Sequence, residues 1–352
     1  MSTDSDRQLR LHPAARTLPI DMMGPFVTLG EGELLTVDDR AVLLSSDGGQ
    51  SWHSHALFSY GRNEKEHKIS QERALLRSRN GTIVLSFLDL NERHFTWRDE
   101  LRDILPGNRL PHCVTRSLDG GRSWEGVQML HQEWTGDVRD MIQTRSGRIV
   151  ISSMKMLSGP GRHGVLTYCS ADEGATWTAS NLIDLGGCGH HGGVSEAALV
   201  ELRDGRLWML LRTNWGRFWQ AFSGDEGLSW REIGPSAIAA SSAPGLLRRL
   251  ESGRIALLWN RPLPEGAQQY PLRGGDGLWS EVPVSNHREE LSLAFSEDEG
   301  KTWSPPVVLA RCARSSLSYP RVLEARSGEL WVTTMQGGLR LIVPEEALAR
   351  GA

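Results

Sequence analysis

The chain has 352 residues, of which 23% are charged, and its formal net charge is −4 at pH 7. This balance lacks the positive charge with which proteins bind nucleic acid or anionic membranes, so neither partner is expected. The four cysteines form no CxxC pair, and no disulfide framework, metal centre or cofactor is predicted. The N-terminal segment has no apolar run typical of a signal peptide, and no stretch is long enough for a membrane span, which indicates a cytoplasmic protein.

Two short patterns recur along the chain. An apolar strand, a glycine turn and another apolar strand occur six times, with glycines at Gly30, Gly81, Gly147, Gly205, Gly253 and Gly328. The pattern S-x-D-x-G-x-[ST]-W occurs five times, at residues 45–52, 117–124, 170–177, 223–230 and 296–303. Repeats of this kind are typical of propeller blades, so we predict an all-β, six-bladed β-propeller in which residues 1–352 form a single domain.

In chain order, the blades span residues 22–53, 71–124, 137–177, 192–230 and 242–303, and the sixth blade begins at Ser318. The last blade lacks a fourth strand, which we expect the N-terminal segment at about residues 9–20 to supply. Long insertions at residues 89–111 and 260–287 connect second and third strands, as does a shorter one at residues 155–163. These connections share one face of a propeller, so a ligand site is expected there, with the repeated Asp turns as structural features of the opposite face.

Polar side chains converge on that face, at the starts of first strands and the ends of second strands. They include Asp21, Glu72, Glu196 and Tyr319 at the starts, and Asp38, Asp89, Lys155, Arg212, Arg261 and Gln336 at the ends. Ionised groups gathered in a partly buried space are costly unless they are paired or bind a charged ligand. The cluster therefore indicates either a binding site or a salt-bridged plug of the channel.

The repeated Asp turns and the placement of Glu196 and Tyr319 resemble the sialidase (neuraminidase) superfamily with its Asp-box, or BNR, repeats. The resemblance implies that Tyr319 is a nucleophile activated by Glu196, because a neutral phenol approaches an anionic sugar without charge repulsion. It also implies that Arg212 and Arg288 bind the sugar carboxylate, for which the planar guanidinium group is suited.

Two features depart from the family pattern. Residues 21–25 carry no arginine where the family has its first one, so Arg73 or Arg139 is expected to replace it, and Arg261 and Arg321 are further candidates for substrate binding together with Glu72. The proton donor is expected among Asp38, Asp39, Asp89, His190 and His191. Neighbouring histidines on an extended chain point to opposite sides, so only one should face the site and no metal is predicted.

Three functions remain open on this basis. The first is a retaining exo-glycoside hydrolase that acts on a terminal acidic sugar, sialic or uronic acid, of an oligosaccharide. The second is a polysaccharide lyase, in which a histidine of the pair 190–191 and Tyr319 serve as base and acid beside a uronate. The third is a sugar-binding propeller without catalysis, in which Glu196 and Arg212 form a structural ion pair and Tyr319 caps a strand.

Overall fold

The computed structural model describes residues 8–60 and 65–349, which form six main antiparallel sheets. The sheets are the blades of a propeller, which confirms the predicted fold class. The first seven residues, on which part of the signal-peptide argument rests, lie outside the described residues. Within the described ranges, no helix has the length and apolar character needed to cross a membrane.

The strands follow one another blade by blade. Two short strands come first, β1 (Arg10–Leu11) and β2 (Arg16–Thr17). Blade one has β3 (Val27–Gly30), β4 (Glu33–Val37), β5 (Ala41–Ser45) and β6 (His53–Ala56). Blade two begins with β7 (Ile69–Arg77) and β8 (Ile83–Asp89), continues through a 3-10 turn (Leu90–Glu92) and the ribbon β9 (Trp97–Arg98) and β10 (Asp103–Ile104), and ends with β11 (His112–Ser117) and β12 (Gln128–His131).

Blade three has β13 (Met141–Gln143), β14 (Ile149–Leu157), β15 (Arg162–Ser170) and β16 (Thr178–Ala179). Blade four has β17 (Ser195–Glu201), β18 (Leu207–Arg212), β19 (Arg217–Ser223) and β20 (Glu232–Ala239). Blade five has β21 (Leu246–Arg249), β22 (Ile255–Trp259), the ribbon β23 (Leu272–Gly274) and β24 (Pro283–Ser285), then β25 (Glu290–Ser296) and β26 (Val307–Arg311). Blade six has β27 (Ser318–Arg326), β28 (Glu329–Gln336) and β29 (Arg340–Pro344), followed by the helix α1 (Glu345–Ala349).

The second strands of the blades are the most apolar because they have neighbours within the blade and blades on both sides. Every residue of β8 and of β18 is buried. The largest apolar clusters lie between successive blades, as where Val150 of blade three contacts the cluster that contains Leu199 and Met209 of blade four. The hydrophobic core is therefore a ring of interfaces between blades, which leaves the axis to polar side chains.

Each repeated Asp turn is held by the same hydrogen bonds. In blade four, Ser223 Oγ accepts from the Gly227 N–H at 2.8 Å, while Asp225 accepts from the Ser229 N–H at 2.8 Å and from its hydroxyl at 2.6 Å. The turn glycine has a φ of +88°, and a Cβ on it would lie 2.9 Å from Val150 Cγ1 of blade three. The glycine of the motif thus serves both the turn and the contact between blades.

Five of the six predicted hairpin glycines have positive φ, namely Gly81, Gly147, Gly205, Gly253 and Gly328. In blade one the prediction was wrong by two residues, because Gly30 ends β3 and Gly32, with a φ of +72°, takes the left-handed position.

The N-terminal segment crosses two blades. β2 pairs antiparallel with β29 as the fourth strand of blade six. β1 pairs with β26 as a fifth strand of blade five, an addition that the repeat pattern does not contain. Leu18 and Ile20 then bury their side chains against Leu34 of blade one and Trp331 of blade six. The first and last parts of the chain are joined at this point.

Candidate active site

Glu196 and Tyr319 meet at the axis, although they belong to blades four and six, which are separated by blade five. The Tyr319 hydroxyl donates to Glu196 Oε1 at 2.9 Å. Both residues have positive φ, 45° for Glu196 and 62° for Tyr319, which non-glycine residues seldom adopt. Near Glu196 the register of β17 against β18 shifts, so that Glu196 and Ala197 lie opposite Leu211 alone. Strained backbone and bulges concentrate where a side chain must be aimed, as at functional sites.

Arg212, at the end of β18, contacts both Glu196 and Tyr319. Its Nη1 forms an ion pair with Glu196 Oε2 and lies 3.4 Å from the Tyr319 hydroxyl. Its Nη2 donates to Ser242 Oγ at 2.9 Å. The Arg212 side chain is 4% exposed and that of Glu196 is 9% exposed. Two charges so deeply buried need each other and further hydrogen bonds, since an unpaired one would be strongly destabilising.

Two more arginines lie over the Tyr319 ring. Arg139 is 5.3 Å and Arg288 is 5.5 Å from the ring centroid. Arg288 is held by Gln336 Oε1 at 2.8 Å and by the Ser242 carbonyl at 2.7 Å, and Arg139 donates to the Pro320 carbonyl at 2.8 Å. Cations over an aromatic face interact favourably with it, and they would stabilise negative charge on the phenolic oxygen.

The surroundings of Glu196 and Tyr319 shift the pKa values of the two groups in opposite directions. Burial by itself would raise the pKa of Glu196, but Arg212, followed by Arg288 and the Tyr319 hydroxyl, lowers it to about 2. Burial raises the pKa of Tyr319, and Glu196 raises it further against the opposing effect of Arg212 and Arg288. At neutral pH the site therefore holds a carboxylate that accepts a hydrogen bond from a neutral phenol.

A pocket of about 200 Å³ opens between blades one, two and six, and we call it the mouth pocket. It is lined by Asp21, Met22, Met23, Gly24, Thr36, Val37, Asp38, Leu43, Gln71, Arg73, Arg321 and Met335. Arg321 donates to the carbonyl oxygens of Gly24, which precedes blade one, and of Gln71 in the first strand of blade two. Burial lowers the pKa of Arg321 to about 9, with repulsion from Arg73 and Arg139 adding to the effect. The pocket thus combines positive charge with two carboxyl groups.

The family described as BNR repeat-like domain matches residues 16–332. The chain belongs to the BNR repeat-like family. No curated protein matches it.

Solved structures with the same propeller include a protein of unknown function from Dyadobacter fermentans, 17% identical with a TM-score of 0.63, over 94% of this chain and 98% of that one. Hadza microbial sialidase Hz136 is 18% identical with a TM-score of 0.62, over 95% and 66% of the two chains. Trypanosoma rangeli sialidase, in complex with 2,3-difluorosialic acid, is 16% identical with a TM-score of 0.55, over 97% and 60%. Identities this low show a shared fold, and this chain spans about two thirds of the Hadza enzyme's length.

In this BNR repeat-like propeller, Asp137 is a site residue that the sequence interpretation missed. The residue is 2% exposed, and neither carboxyl oxygen has a hydrogen-bond partner among the described residues. Burial raises its pKa, and nearby Glu196 and Glu72 raise it further, against the opposing effect of Arg139 and Arg321. In the sequence, the position nine residues before the hairpin glycine Gly147 is Val138, which lies between Asp137 and Arg139. The repeat pattern therefore indicated the correct segment of blade three but selected its apolar residue.

Asp89 and Arg261 have other partners and make no described contact with Glu196 or Tyr319. Asp89 accepts from His67 Nδ1 at 2.8 Å and from two backbone N–H groups at 3.1 Å, so it caps the 3-10 turn. Arg261 donates to Ser292 Oγ at 3.1 Å and lies 3.6 Å from Glu290 Oε2. A polar residue that follows a strand is as suited to capping or ion pairing as to binding a ligand.

The expectation that His190 and His191 point to opposite sides was wrong. They lie in a turn rather than an extended segment, and their Nδ1 atoms are 2.6 Å apart. His191 stacks on Trp279 with ring centroids 5.1 Å apart, and His190 meets Trp97 edge-on at 5.7 Å. In residues 8–60 and 65–349, no group of three or more His, Cys, Asp or Glu side chains is arranged to hold a metal ion.

Among the described residues, a chain of hydrogen bonds links the histidine pair to the axis, and Arg212 and Glu196 also act electrostatically on His191. The His191 carbonyl accepts from Asn214 Nδ2 at 2.5 Å, and Asn214 Oδ1 accepts from Ser242 Oγ, the partner of Arg212. Among the described contacts, neither imidazole ring contacts Tyr319. The geometry does not favour a lyase with a histidine and Tyr319 as its base and acid.

Proposed function

We propose that the chain is a retaining exo-glycoside hydrolase that acts on a terminal acidic sugar of an oligosaccharide. The observation that carries the proposal is the hydrogen bond between Tyr319 and Glu196, which is surrounded by Arg212, Arg288 and Arg139. A neutral nucleophile with an adjacent base, in a ring of guanidinium groups, suits an anionic sugar better than a carboxylate nucleophile would. The sialidases among the structural neighbours have the same fold, and one of them is named as a covalent intermediate.

In the first step the sugar carboxylate would pair with Arg212 and Arg288. These arginines hold the pKa of Glu196 down, so a bound anion that neutralises them lets it rise and makes Glu196 a better proton acceptor. The Tyr319 oxygen then attacks the anomeric carbon while its proton passes to Glu196. The bond to the leaving oxygen breaks, and that oxygen takes a proton from a carboxyl group.

We assign the proton donor to Asp38, which lines the mouth pocket beside Arg73 and Arg321. In the second step the Asp38 carboxylate would accept a proton from water as the water oxygen attacks the anomeric carbon. The bond from that carbon to the Tyr319 oxygen breaks, and Glu196 returns the proton to the phenolate. Both carboxyl groups and the phenol then regain their starting protonation states.

Product analysis against sialosides and uronate-containing oligosaccharides tests the proposal. Tyr319→Phe removes the nucleophile and should lower kcat/KM by at least about 10²–10⁴-fold, whereas the control Tyr270→Phe, in the blade-five insertion, should keep it. Retained activity in Tyr319→Phe would refute the mechanism. An unsaturated product that absorbs in the ultraviolet would show a lyase instead.

A sugar-binding propeller without turnover is the second candidate. The specific observation in its favour is that residues 21–25 supply no arginine to the mouth pocket, which leaves Arg73 and Arg321 in that role. Saturable binding of an acidic sugar without any product would support this candidate over the hydrolase.

A further inference from the structure

A second, smaller cavity lies deeper in the channel than the Tyr319–Glu196 pair. It has a volume of about 50 Å³, and one enclosed water needs roughly 10–15 Å³. Its walls come from the innermost strands of blades two, three, five and six, and include Leu75, Met141, Leu246 and Leu323. We call it the channel cavity. It has room for more than one species the size of water.

The charges around the channel cavity are strongly unequal. Its lining contains the four guanidinium groups of Arg73, Arg139, Arg248 and Arg321, and one carboxylate, Asp140. Asp140 is already engaged, since its oxygens accept from the backbone N–H groups of Met141 at 2.9 Å and Leu199 at 2.8 Å. Its distance to Arg248 is 3.6 Å.

Three of these guanidinium groups have an unused donor. The Nε atoms of Arg73, Arg139 and Arg248 are buried and have no hydrogen-bond partner among the described residues. Arg139 as a whole is 9% exposed. A buried donor without an acceptor is costly, more so on a charged group, so native proteins satisfy such groups with protein, water or a ligand. The unused donors indicate that the channel cavity is occupied.

Water alone would accept these hydrogen bonds but would leave the charge uncompensated. Asp137 and Glu72 act on Arg321 electrostatically, yet neither lines the cavity. Counting both as ionised still leaves four guanidinium groups against three carboxylates. Asp38 and Asp39 act on Arg73 from partly or fully exposed positions, where solvent screens them. The Arg248 side chain is itself 33% exposed, so its charge is partly screened as well. The lining of the channel cavity nevertheless holds more guanidinium groups than carboxylates.

We propose that the channel cavity binds a small monovalent inorganic anion of the halide type, held by the buried Nε–H donors of Arg73, Arg139 and Arg248. The volume accommodates such an ion with water, and its negative charge offsets part of the excess of guanidinium groups in the lining. The channel cavity shares Arg73 and Arg321 with the mouth pocket, and Arg139 with the group around Tyr319, but the inference does not depend on the proposed hydrolysis.

Bromide tests the proposal, because it substitutes for chloride and scatters X-rays anomalously. Crystals of the full chain soaked in sodium bromide should show an anomalous peak among the three arginines. In solution, sodium bromide that replaces sodium gluconate at constant ionic strength should raise Tm saturably, by at least about 2 °C. Bromide is not a general stabiliser of folded proteins, so a saturable rise reports binding.

The variant Asp140→Asn/Arg248→Met removes one arginine together with its carboxylate and should weaken the bromide effect at least about tenfold in concentration. Arg206→Met, which removes an exposed arginine paired with Asp204, should leave the effect unchanged. If the double variant does not fold, the crystal peak decides. No peak in the channel, or a Tm that does not respond saturably, would overturn the proposal.

Discussion

Tyr319 and Glu196 show how single residues depart from their usual backbone when they must face each other. A non-glycine residue in the left-handed region costs of order 1–3 kcal/mol, and such strain persists only where the surrounding structure imposes it. Here the imposing contacts are the bulge in β17 and the arginines around the phenol. The backbone conformations that bring Glu196 and Tyr319 together therefore lower the stability of the protein locally.

The ion pair of Arg212 and Glu196 predicts a coupled pair of substitutions. Arg212→Met should destabilise the protein by about 3–5 kcal/mol, because it leaves a buried carboxylate without its cation. Glu196→Gln in the same chain should recover part of that loss. Urea unfolding of both single variants and the double variant measures the coupling, and additive effects would mean that the two charges do not depend on each other.

A proton donor can be recognised by its dependence on the leaving group. Asp38→Asn should lower kcat/KM for natural glycosides by about 10²–10⁴-fold, and far less for an activated aryl glycoside whose leaving oxygen needs no proton. The fold should survive, since an amide oxygen can still accept from the N–H groups of Arg40 and Ala41. Asp39→Asn, on the exposed neighbour, is the control. An equal loss with both substrates would remove Asp38 from this role.

At the scale of the element, the repeated Asp turn has two roles, because it reverses the chain and also packs one blade against the preceding one. Its serine and aspartate hold the loop by the same bonds in five blades. Its glycine lies against the preceding blade, as Gly121 does against Leu35 and Gly300 against Trp208. The motif therefore recurs because each blade must approach its neighbour equally closely.

Gly227 and Gly224 lie in the same turn, and an alanine substitution at each tests whether the turn glycine packs against the preceding blade. Gly227→Ala places a Cβ on a residue with positive φ and 2.9 Å from Val150, and should destabilise the protein by about 1–3 kcal/mol. Gly224→Ala meets no atom within 4 Å and should change the free energy of unfolding by less than about 0.5 kcal/mol. Urea unfolding compares them, and equal effects would contradict a packing role.

A buried histidine layer between blades two and three predicts sensitivity to acid. Burial lowers the pKa of His131 to about 3 and also lowers that of His112. The unfolded chain takes up these protons below about pH 6.5 while the folded chain does not, so stability falls as pH decreases from 7 to 5. The slope is up to about 1.4 kcal/mol per pH unit for each histidine.

Urea unfolding at pH 7, 6 and 5 measures the slope. His131→Asn should make it shallower, and His53→Asn, at an exposed position, should leave it as in the wild type. An unchanged slope in His131→Asn would show that other groups cause the acid sensitivity.

At the scale of the whole molecule, the ring is closed by the N-terminal segment. β1 and β2 join blades five and six, and Leu18 is 2% exposed between blades six and one. A propeller has no core that spans all its blades, so opening at one interface exposes that interface alone. The contacts that close the ring are therefore expected to contribute more to the stability of the propeller than similar contacts inside one blade.

Leu18→Ala tests the closure. It should cost about 2–5 kcal/mol through the lost burial and the cavity left behind. Leu9→Ala, at a position 45% exposed, should have little effect. Differential scanning calorimetry compares the two variants, and a similar Tm for both would show that the segment does not stabilise the ring.

The sequence alone determined the blades and much of the pair at the axis. The turn pattern is local, since the side-chain hydrogen bonds of the Ser and Asp in the Asp turn lie within five residues, and the hairpin glycines follow from backbone sterics. Glu196 and Tyr319 were found because repeats bring equivalent positions to the same height in the ring. The exception at Gly30 shows the limit, because two glycines two residues apart both fit a short turn.

Only the tertiary structure decided which charged side chains share the axis. Asp89 and Asp38 both end second strands, yet one caps a turn and the other lines the mouth pocket. Asp137 and the guanidinium groups of the channel cavity gained their importance from burial and from missing partners, which no local pattern records. The physical reason is that turn geometry depends on neighbours in sequence, while the cost of a buried charge depends on residues that other blades bring to it.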